Sequence, residues 1–241
     1  RVSTSPQNMV QAPFNNTYHS LDMYADQLDF HLDSSFVDIR SARDPEGRAS
    51  FESFNFFSRK RFDQVRGNMS YNPIFKFNEL YTLYQSRVYS EDDLIGFFGV
   101  DKIEQIQPLL LIMSNNGYIL YEPSIKEITL KDKLFTYINA YLKKIDYDVI
   151  QLNSISKEKP NSRLILDNYN LEVRGIKTVR LSDSQSVQIY PAKQTIIFKE
   201  NRDMEFSGYM KAGRFEYFGS GFSFSYDDFV INMDQIDSMM F

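Results

Sequence analysis

Hydrophobic and polar positions change their period twice along the chain. Leu28, Phe30 and Leu32 alternate with Asp29 and His31, a period of two that predicts a strand with one buried face. A turn at Asp33-Ser34-Ser35, a second apolar run over 36–39 and a breaker at Asp44-Pro45-Glu46-Gly47 follow. A looser alternation over 51–57 then leads into Ser58-Arg59-Lys60-Arg61, read as a solvated turn. Residues 19–70 thus form an N-terminal β segment. Ahead of it, residues 1–18 are rich in Ser, Asn, Gln and Pro without periodicity, which predicts an extended or poorly ordered lead-in.

The middle of the chain, 71–146, has helical spacing. Pro73 opens a run in which Phe77, Leu80, Leu83 and Tyr84 recur on one face. Ser90, followed by Glu91-Asp92-Asp93, has the form of a capping box whose acids suit the positive end of a helix dipole. A third helix is expected between Asp101 and Asn115-Asn116-Gly117, with Pro108 either kinking it or starting a new turn. The stretches 118–121 and 125–130 flank Glu122-Pro123-Ser124 and predict a hairpin. A last helix is expected over 131–144, with Leu134, Ile138 and Leu142 on one side. Three helices followed by a hairpin, entered through Asn-Gly-Tyr-Ile-Leu-Tyr, resemble a winged helix.

From 147 to 241 the period returns to two. Short strands are expected about every eight to ten residues, separated by polar or Gly breakers such as Gly175, Gly208 and Gly219-Ser220-Gly221. One weak internal similarity links the two β parts. Leu28-Asp29-Phe30-His31-Leu32-Asp33 parallels Phe222-Ser223-Phe224-Ser225-Tyr226-Asp227, and Phe36-Val37 parallels Phe229-Val230. Units that cannot bury their own apolar face are expected to stack. The expected fold is therefore α+β: a β-rich scaffold formed by the N- and C-terminal parts, as a solenoid-like stack first and a sandwich of short strands second, with the winged-helix-like module inserted.

Composition changes this picture little. Phe (21) and Tyr (16) suit strands, and Trp is absent. Among the 241 residues there is no Cys, which excludes disulfides, thiolate metal sites and a Cys nucleophile. Net charge is −5, and the excess of acids is concentrated after residue 202, where Asp203, Glu205, Glu216, Asp227, Asp228, Asp234 and Asp237 face only Lys211 and Arg214. No apolar run approaches the roughly 20 residues that cross a bilayer as a helix, so this segment is expected not to insert into a membrane. The chain starts at Arg1 without a signal-peptide pattern and finishes on Met239-Met240-Phe241, which suggests a piece of a longer polypeptide.

Candidate chemistry is sparse. His19 and His31 have no metal-ligand spacing, Gly219-Ser220-Gly221 is followed by an aromatic strand rather than a helix, and no phosphate loop or Ser nucleophile motif occurs. No catalytic, cofactor-binding or metal residue is assigned, and no cofactor is expected. Carboxylates are the one plentiful catalytic group; paired, they could divide acid and base roles in glycan cleavage, although alternation of acids with aromatics on a solvent face explains the same pattern. Between Asp101 and Gly117 only Lys102 is cationic, against Asp101 and Glu104, and the hairpin loop adds Glu122 and Lys126. Nucleic acid is thereby disfavoured. Arg59-Lys60-Arg61 with Arg66, interleaved by Phe56, Phe57 and Phe62, is the one basic cluster.

The phrases Phe51-Glu52-Ser53, Asn201-Arg202-Asp203, Ala212-Gly213-Arg214-Phe215 and Phe224-Ser225-Tyr226-Asp227-Asp228-Phe229 resemble large uncharacterised exported proteins of Bacteroidetes. That resemblance implies a cell-envelope or periplasmic location and supplies no catalytic residues. The expected function is a non-catalytic structural or protein-interaction segment of a larger protein, whose partner is protein, either a copy of itself or other domains of its parent chain. A glycan-binding or glycan-cleaving module using Asp, Glu and Tyr is the alternative. Nucleic-acid binding through the helical module is third.

Overall fold

The computed structural model of the chain describes residues 2–3, 12–30, 32–67 and 69–241. Its strands begin with β1 (Val2–Ser3), β2 (Phe14–Asn16), β3 (Leu21–Tyr24), β4 (Gln27–Phe30), β5 (Phe36–Arg40) and β6 (Arg48–Ser53). Helices α1 (Arg59–Arg66) and α2 (Pro73–Tyr84), strand β7 (Val88–Ser90), helices α3 (Glu91–Phe98) and α4 (Gln107–Asn115), strands β8 (Ile119–Glu122) and β9 (Glu127–Leu130) and helix α5 (Asp132–Tyr141) follow. The remainder is β10 (Gln151–Ile155), β11 (Ser162–Ile165), β12 (Leu171–Arg174), β13 (Ile176–Ser182), β14 (Val187–Pro191), β15 (Thr195–Phe198), β16 (Met204–Ala212), β17 (Phe215–Ser225) and β18 (Val230–Met240). The chain forms two compact units: one from Phe14–Phe56 and Asp148–Phe241 together with β1, the other from Phe57–Tyr147.

The first unit is one curled antiparallel sheet of fifteen strands. It divides at β16. One edge of β16 carries β15 beside Met204 and Glu205 and β14 beside Gly208–Ala212, while its other edge carries β17 and then β18. Two wings result, β15-β12-β11-β5-β4-β1 and β14-β13-β10-β6-β3-β2. Strands consecutive in sequence pass from wing to wing: β12 runs into β13 through Gly175 alone, and β3 into β4 through Ala25 and Asp26. Gly175 has φ +70, and a Cβ there would stand 2.2 Å from the Ile155 carbonyl oxygen, so only glycine fits this corner. Gly208, at the bulge where β16 exchanges one neighbour for the other, has φ +138 and would bring a Cβ to 2.5 Å from the Tyr190 carbonyl oxygen.

Between the wings lies a single core that includes Leu21, Phe51, Leu152, Val173, Ile189, Phe198 and Phe222. Residues from before 60 and after 150 share it, and β6 pairs with β10 along its length from Arg48 to Glu52. A solenoid-like stack of rungs is not what forms. Short hairpins join β2 to β3, β4 to β5, β11 to β12, β13 to β14 and β17 to β18, and a hairpin makes its strands antiparallel, whereas stacked rungs require parallel neighbours.

Several local expectations change with it. β2 lies inside the stretch expected to be an extended or poorly ordered lead-in, and is extended there as a strand paired with β3; residues 4–11 lie outside the described residues. In β4, Leu28 packs against the core, but Phe30 is exposed at the strand end and Leu32 falls in the turn. Gln27 and Asp29 are the better-covered residues there, because Asp29 and Asp38 stand opposite each other and are held by Arg40 at 3.3 Å and by Arg163 at 2.7 Å. Gly219-Ser220-Gly221, expected as a tight turn or bulge, is a bulge within β17: Ser220 and Gly221 stand opposite Ser207 of β16.

The second unit is helical with a three-stranded antiparallel sheet, β7-β9-β8. Asn72 caps α2 by accepting from the Ile74 amide at 3.0 Å, with Pro73 in the first turn. Ser90 and Asp93 form a reciprocal capping box on α3. Pro108 begins α4. The buried face of α2 is Ile74, Phe77 and Leu80, while Leu83 and Tyr84 are exposed. In α5, Leu134, Tyr137 and Ile138 are buried and Leu142 is not. Arg59-Lys60-Arg61 is the first turn of α1, capped by Ser58; a run of cations at a helix start opposes the dipole, which is why the sequence reads as a turn.

Candidate functional site

Asp148, at the point where the chain re-enters the β unit, is the centre of a buried polar cluster. Its amide donates to the Asn55 carbonyl at 3.1 Å, and Asp148 bridges Phe56, so the two ends of the excursion through Phe57–Tyr147 are fastened together. Its carboxylate accepts from the Ser53 hydroxyl at 2.6 Å, the Tyr226 hydroxyl at 2.8 Å and the Ile150 amide at 3.0 Å. Arg202 donates to Ser53 Oγ at 3.2 Å, lies 4.0 Å from the Asp148 carboxylate and places its guanidinium 3.6 Å from the centre of the Tyr226 ring. Asn55 donates to the Tyr226 hydroxyl at 3.1 Å.

Burial raises the Asp148 carboxyl above its ordinary range, partly offset by the hydrogen bonds from Ser53 and Tyr226. Burial, with the Asp148 charge behind it, also raises the Tyr226 phenol. Arg202 has φ +71 and the preceding Asn201 φ +46, left-handed conformations that cost non-glycine residues about 1–3 kcal/mol each. Asn201 is held in place by donating to Asp227 and accepting from Arg202, both at 2.8 Å. Ser53 is fully buried, and Asp148 and Arg202 nearly so. Ser53, Tyr226 and the Ile150 amide are all engaged with the carboxylate, while Arg202 Nε is buried with no hydrogen-bond partner among the described residues. The arrangement clasps Ser53, Asp148, Arg202 and Tyr226 to one another.

The acids after residue 202 are dispersed rather than paired. Asp203 accepts from the Tyr226 amide at 2.7 Å, Asp228 from the Ser225 hydroxyl at 3.1 Å, Glu205 faces Lys199 at 3.2 Å and Glu216 faces Lys211 at 3.5 Å. Glu205 and Asp234 both line an open groove of about 540 Å³ with Lys193, and no tyrosine lines it. Asp237 is the extra residue of a bulge in β18. No group of three or more His, Cys, Asp or Glu able to hold a metal occurs among the described residues.

His19 is buried, its Nε2 2.8 Å from the Tyr169 carbonyl and its Nδ1 3.0 Å from Asn16 Oδ1; burial lowers its pKa, and the ring joins the β2–β3 turn to the β11–β12 turn. His31 lies outside the described residues. Phe56, Phe57 and Phe62, interleaved with the basic cluster, are all buried and offer no exposed stacking face. Arg59 pairs with Asp63 at 3.1 Å and stands over Tyr141 at 4.3 Å, beside an open groove of about 460 Å³ that Lys143 also lines. Helix α4 carries no charged residue.

Sequence reasoning missed two features. Ser53, Asp148 and Arg202 carry no local motif, being up to 149 positions apart. The other is the edge of the β unit. Among the described residues β18 pairs only with β17, and Val230, Ile236, Met239 and Met240 along it are each about half exposed. The recurrence of apolar residues among Asn232, Asp234, Gln235, Asp237 and Ser238 up to the C-terminus was the available signal. No helix among the described residues is long and apolar enough to cross a membrane. No protein family, no curated protein and no solved structure matches this chain.

Proposed function

We propose that the chain is a non-catalytic structural and protein-interaction segment. The observation that carries this reading is β18: eleven residues of edge strand, half-exposed apolar side chains, and backbone groups facing no neighbouring strand among the described residues. Such an edge is a ready template for another chain. The reactive-looking groups of the β unit support the reading from the other side, since Asp148, Ser53 and Arg202 are buried and mutually engaged.

The helical unit fits a winged-helix-like module used for protein contact or as structure. Its order α2-β7-α3-α4-β8-β9 and its sheet β7-β9-β8 support that likeness, and the absence of charge on α4 weighs against DNA reading, which depends on Lys and Arg contacts to phosphate.

A photocrosslinking residue placed at Val230 or Ile236, used in extract of the source cells, tests the reading. A discrete protein adduct is expected at β18 and none with the same residue placed at exposed Tyr84. Turnover of a glycan panel that is abolished by Asp227→Asn or Asp228→Asn would instead establish the glycan-cleaving alternative.

A further inference from the structure

The edge formed by β18 has a chemistry that selects its occupant. We propose that it accepts an extended segment of another protein as an added antiparallel or parallel strand, one whose side chains alternate between apolar and basic. The proposal rests on the interaction reading above and adds the partner's character to it.

Edge length singles out β18. Among the described residues the other edges of the large sheet, β1 and β2, have two and three residues, and those of the small sheet, β7 and β8, have three and four. Very short edges do not template pairing, and long ones are normally blunted by Lys or Pro. β18 contains neither. Its only irregularity is the bulge at Asp237, which leaves the seven residues from Val230 to Ile236 in unbroken register with β17.

The inner face of that run supplies a seat. Ile231 and Met233 are half-buried, opposite Phe224 and Phe222 of the core. With Met210, Tyr217, Phe224 and Phe229 they line an open apolar pocket of about 190 Å³. That is below the roughly 300–1,000 Å³ of a pocket for a drug-sized ligand, and it suits one or two side chains from a strand laid beside Ile231 and Met233. Strand addition of this kind draws affinity from main-chain hydrogen bonds and specificity from pockets that take alternate side chains.

The outer face of the same run is Val230, Asn232, Asp234 and Ile236, and Asp234 is its one charged residue. Between Phe215 and Phe241 there are five acids and no Lys or Arg. Glu216 faces Lys211, Asp227 accepts from Asn201 and Asp228 from Ser225, which leaves Asp234 as the acid in the middle of the regular run. Directly opposed cross-strand charges attract and like charges repel. A Lys or Arg on the outer face of the added strand meets Asp234. A second copy of β18 would bring only acids against acids, so the occupant is a segment of different, basic sequence.

The test uses the whole chain and fluorescence anisotropy with labelled octapeptides: one alternating Lys and Leu, one alternating Glu and Leu, one alternating Lys and Ser. The Lys-Leu peptide is expected to bind, and the other two to bind more weakly by on the order of tenfold. Asp234→Lys is expected to weaken the Lys-Leu peptide by a similar factor and to bring the Glu-Leu peptide up; Asp234→Asn, a milder change at an exposed site, gives the same direction if the first variant folds poorly. Equal binding of the Lys-Leu and Glu-Leu peptides, no binding of any, or indifference to both substitutions overturns the proposal. So does a dimer in sedimentation that a crosslinker at Val230 traps as β18 against β18. A protein adduct at Val230 in extract, with no preference for Lys-Leu peptides, sinks this inference and leaves the interaction reading standing.

Discussion

Asp148 illustrates how one residue can fix a junction. Three donors and a guanidinium converge on its carboxylate, so Asp148→Ala leaves buried donors facing no acceptor and is expected to cost about 1–3 kcal/mol in urea unfolding at neutral pH. The sign of its pH dependence follows from burial. An unfolded Asp titrates near 3.9, whereas the folded carboxyl lies higher; between those values the native state holds more protons. Stability from this group therefore falls as pH rises from about 4 through the raised value, and Asp148→Asn is expected to remove that part of the slope. None of this was legible in the sequence, because Ser53 and Asp148 are 95 positions apart and a contact at that range leaves no local pattern. Ser90 with Asp93 was legible, since a capping box closes within three residues.

At the scale of elements, period and punctuation foretold most of the strands and the helices α2 to α5. They failed where a residue type had a second use. Gly219 and Gly221, expected both to separate strands and to form a tight turn or bulge, form a bulge inside β17, and the cations of α1 conceal a helix. Gly175 has the opposite character: it was expected to break a strand, and it does so by turning the chain from one wing to the other. A side chain there meets both an unfavourable φ and the Ile155 carbonyl. Gly175→Ala is expected to destabilise by more than about 2 kcal/mol, since left-handed φ alone costs about 1–2 kcal/mol. Gly213→Ala, at φ +61 with nothing within 4 Å of the added carbon, should lose only the φ contribution. Thermal unfolding of the two variants side by side makes the comparison.

For the whole molecule, the pattern of two β portions around a helical stretch was visible as a change of period, but their mode of pairing was not. Alternation shows which face of a strand is apolar and says nothing of which strand lies beside it. The fastening of Asn55 to Asp148 at 3.1 Å gives the β unit its own closed boundary. Replacement of Phe57–Tyr147 by a flexible linker of about six residues, which reaches roughly 20 Å when extended, is expected to leave a cooperatively folding β unit with its far-ultraviolet strand signal intact; an unfolded product would show that the helical unit is needed to hold it.

The pairing of Glu52 with Gln151, 99 positions later, also has a consequence for synthesis. At about 5–20 residues per second, β6 emerges from the ribosome some 5–20 s before its partner exists. The helical residues, whose contacts are local, can fold during that wait, while the nascent β3 and β6 keep an unpaired, Phe-bearing flank open to whatever binds new chains.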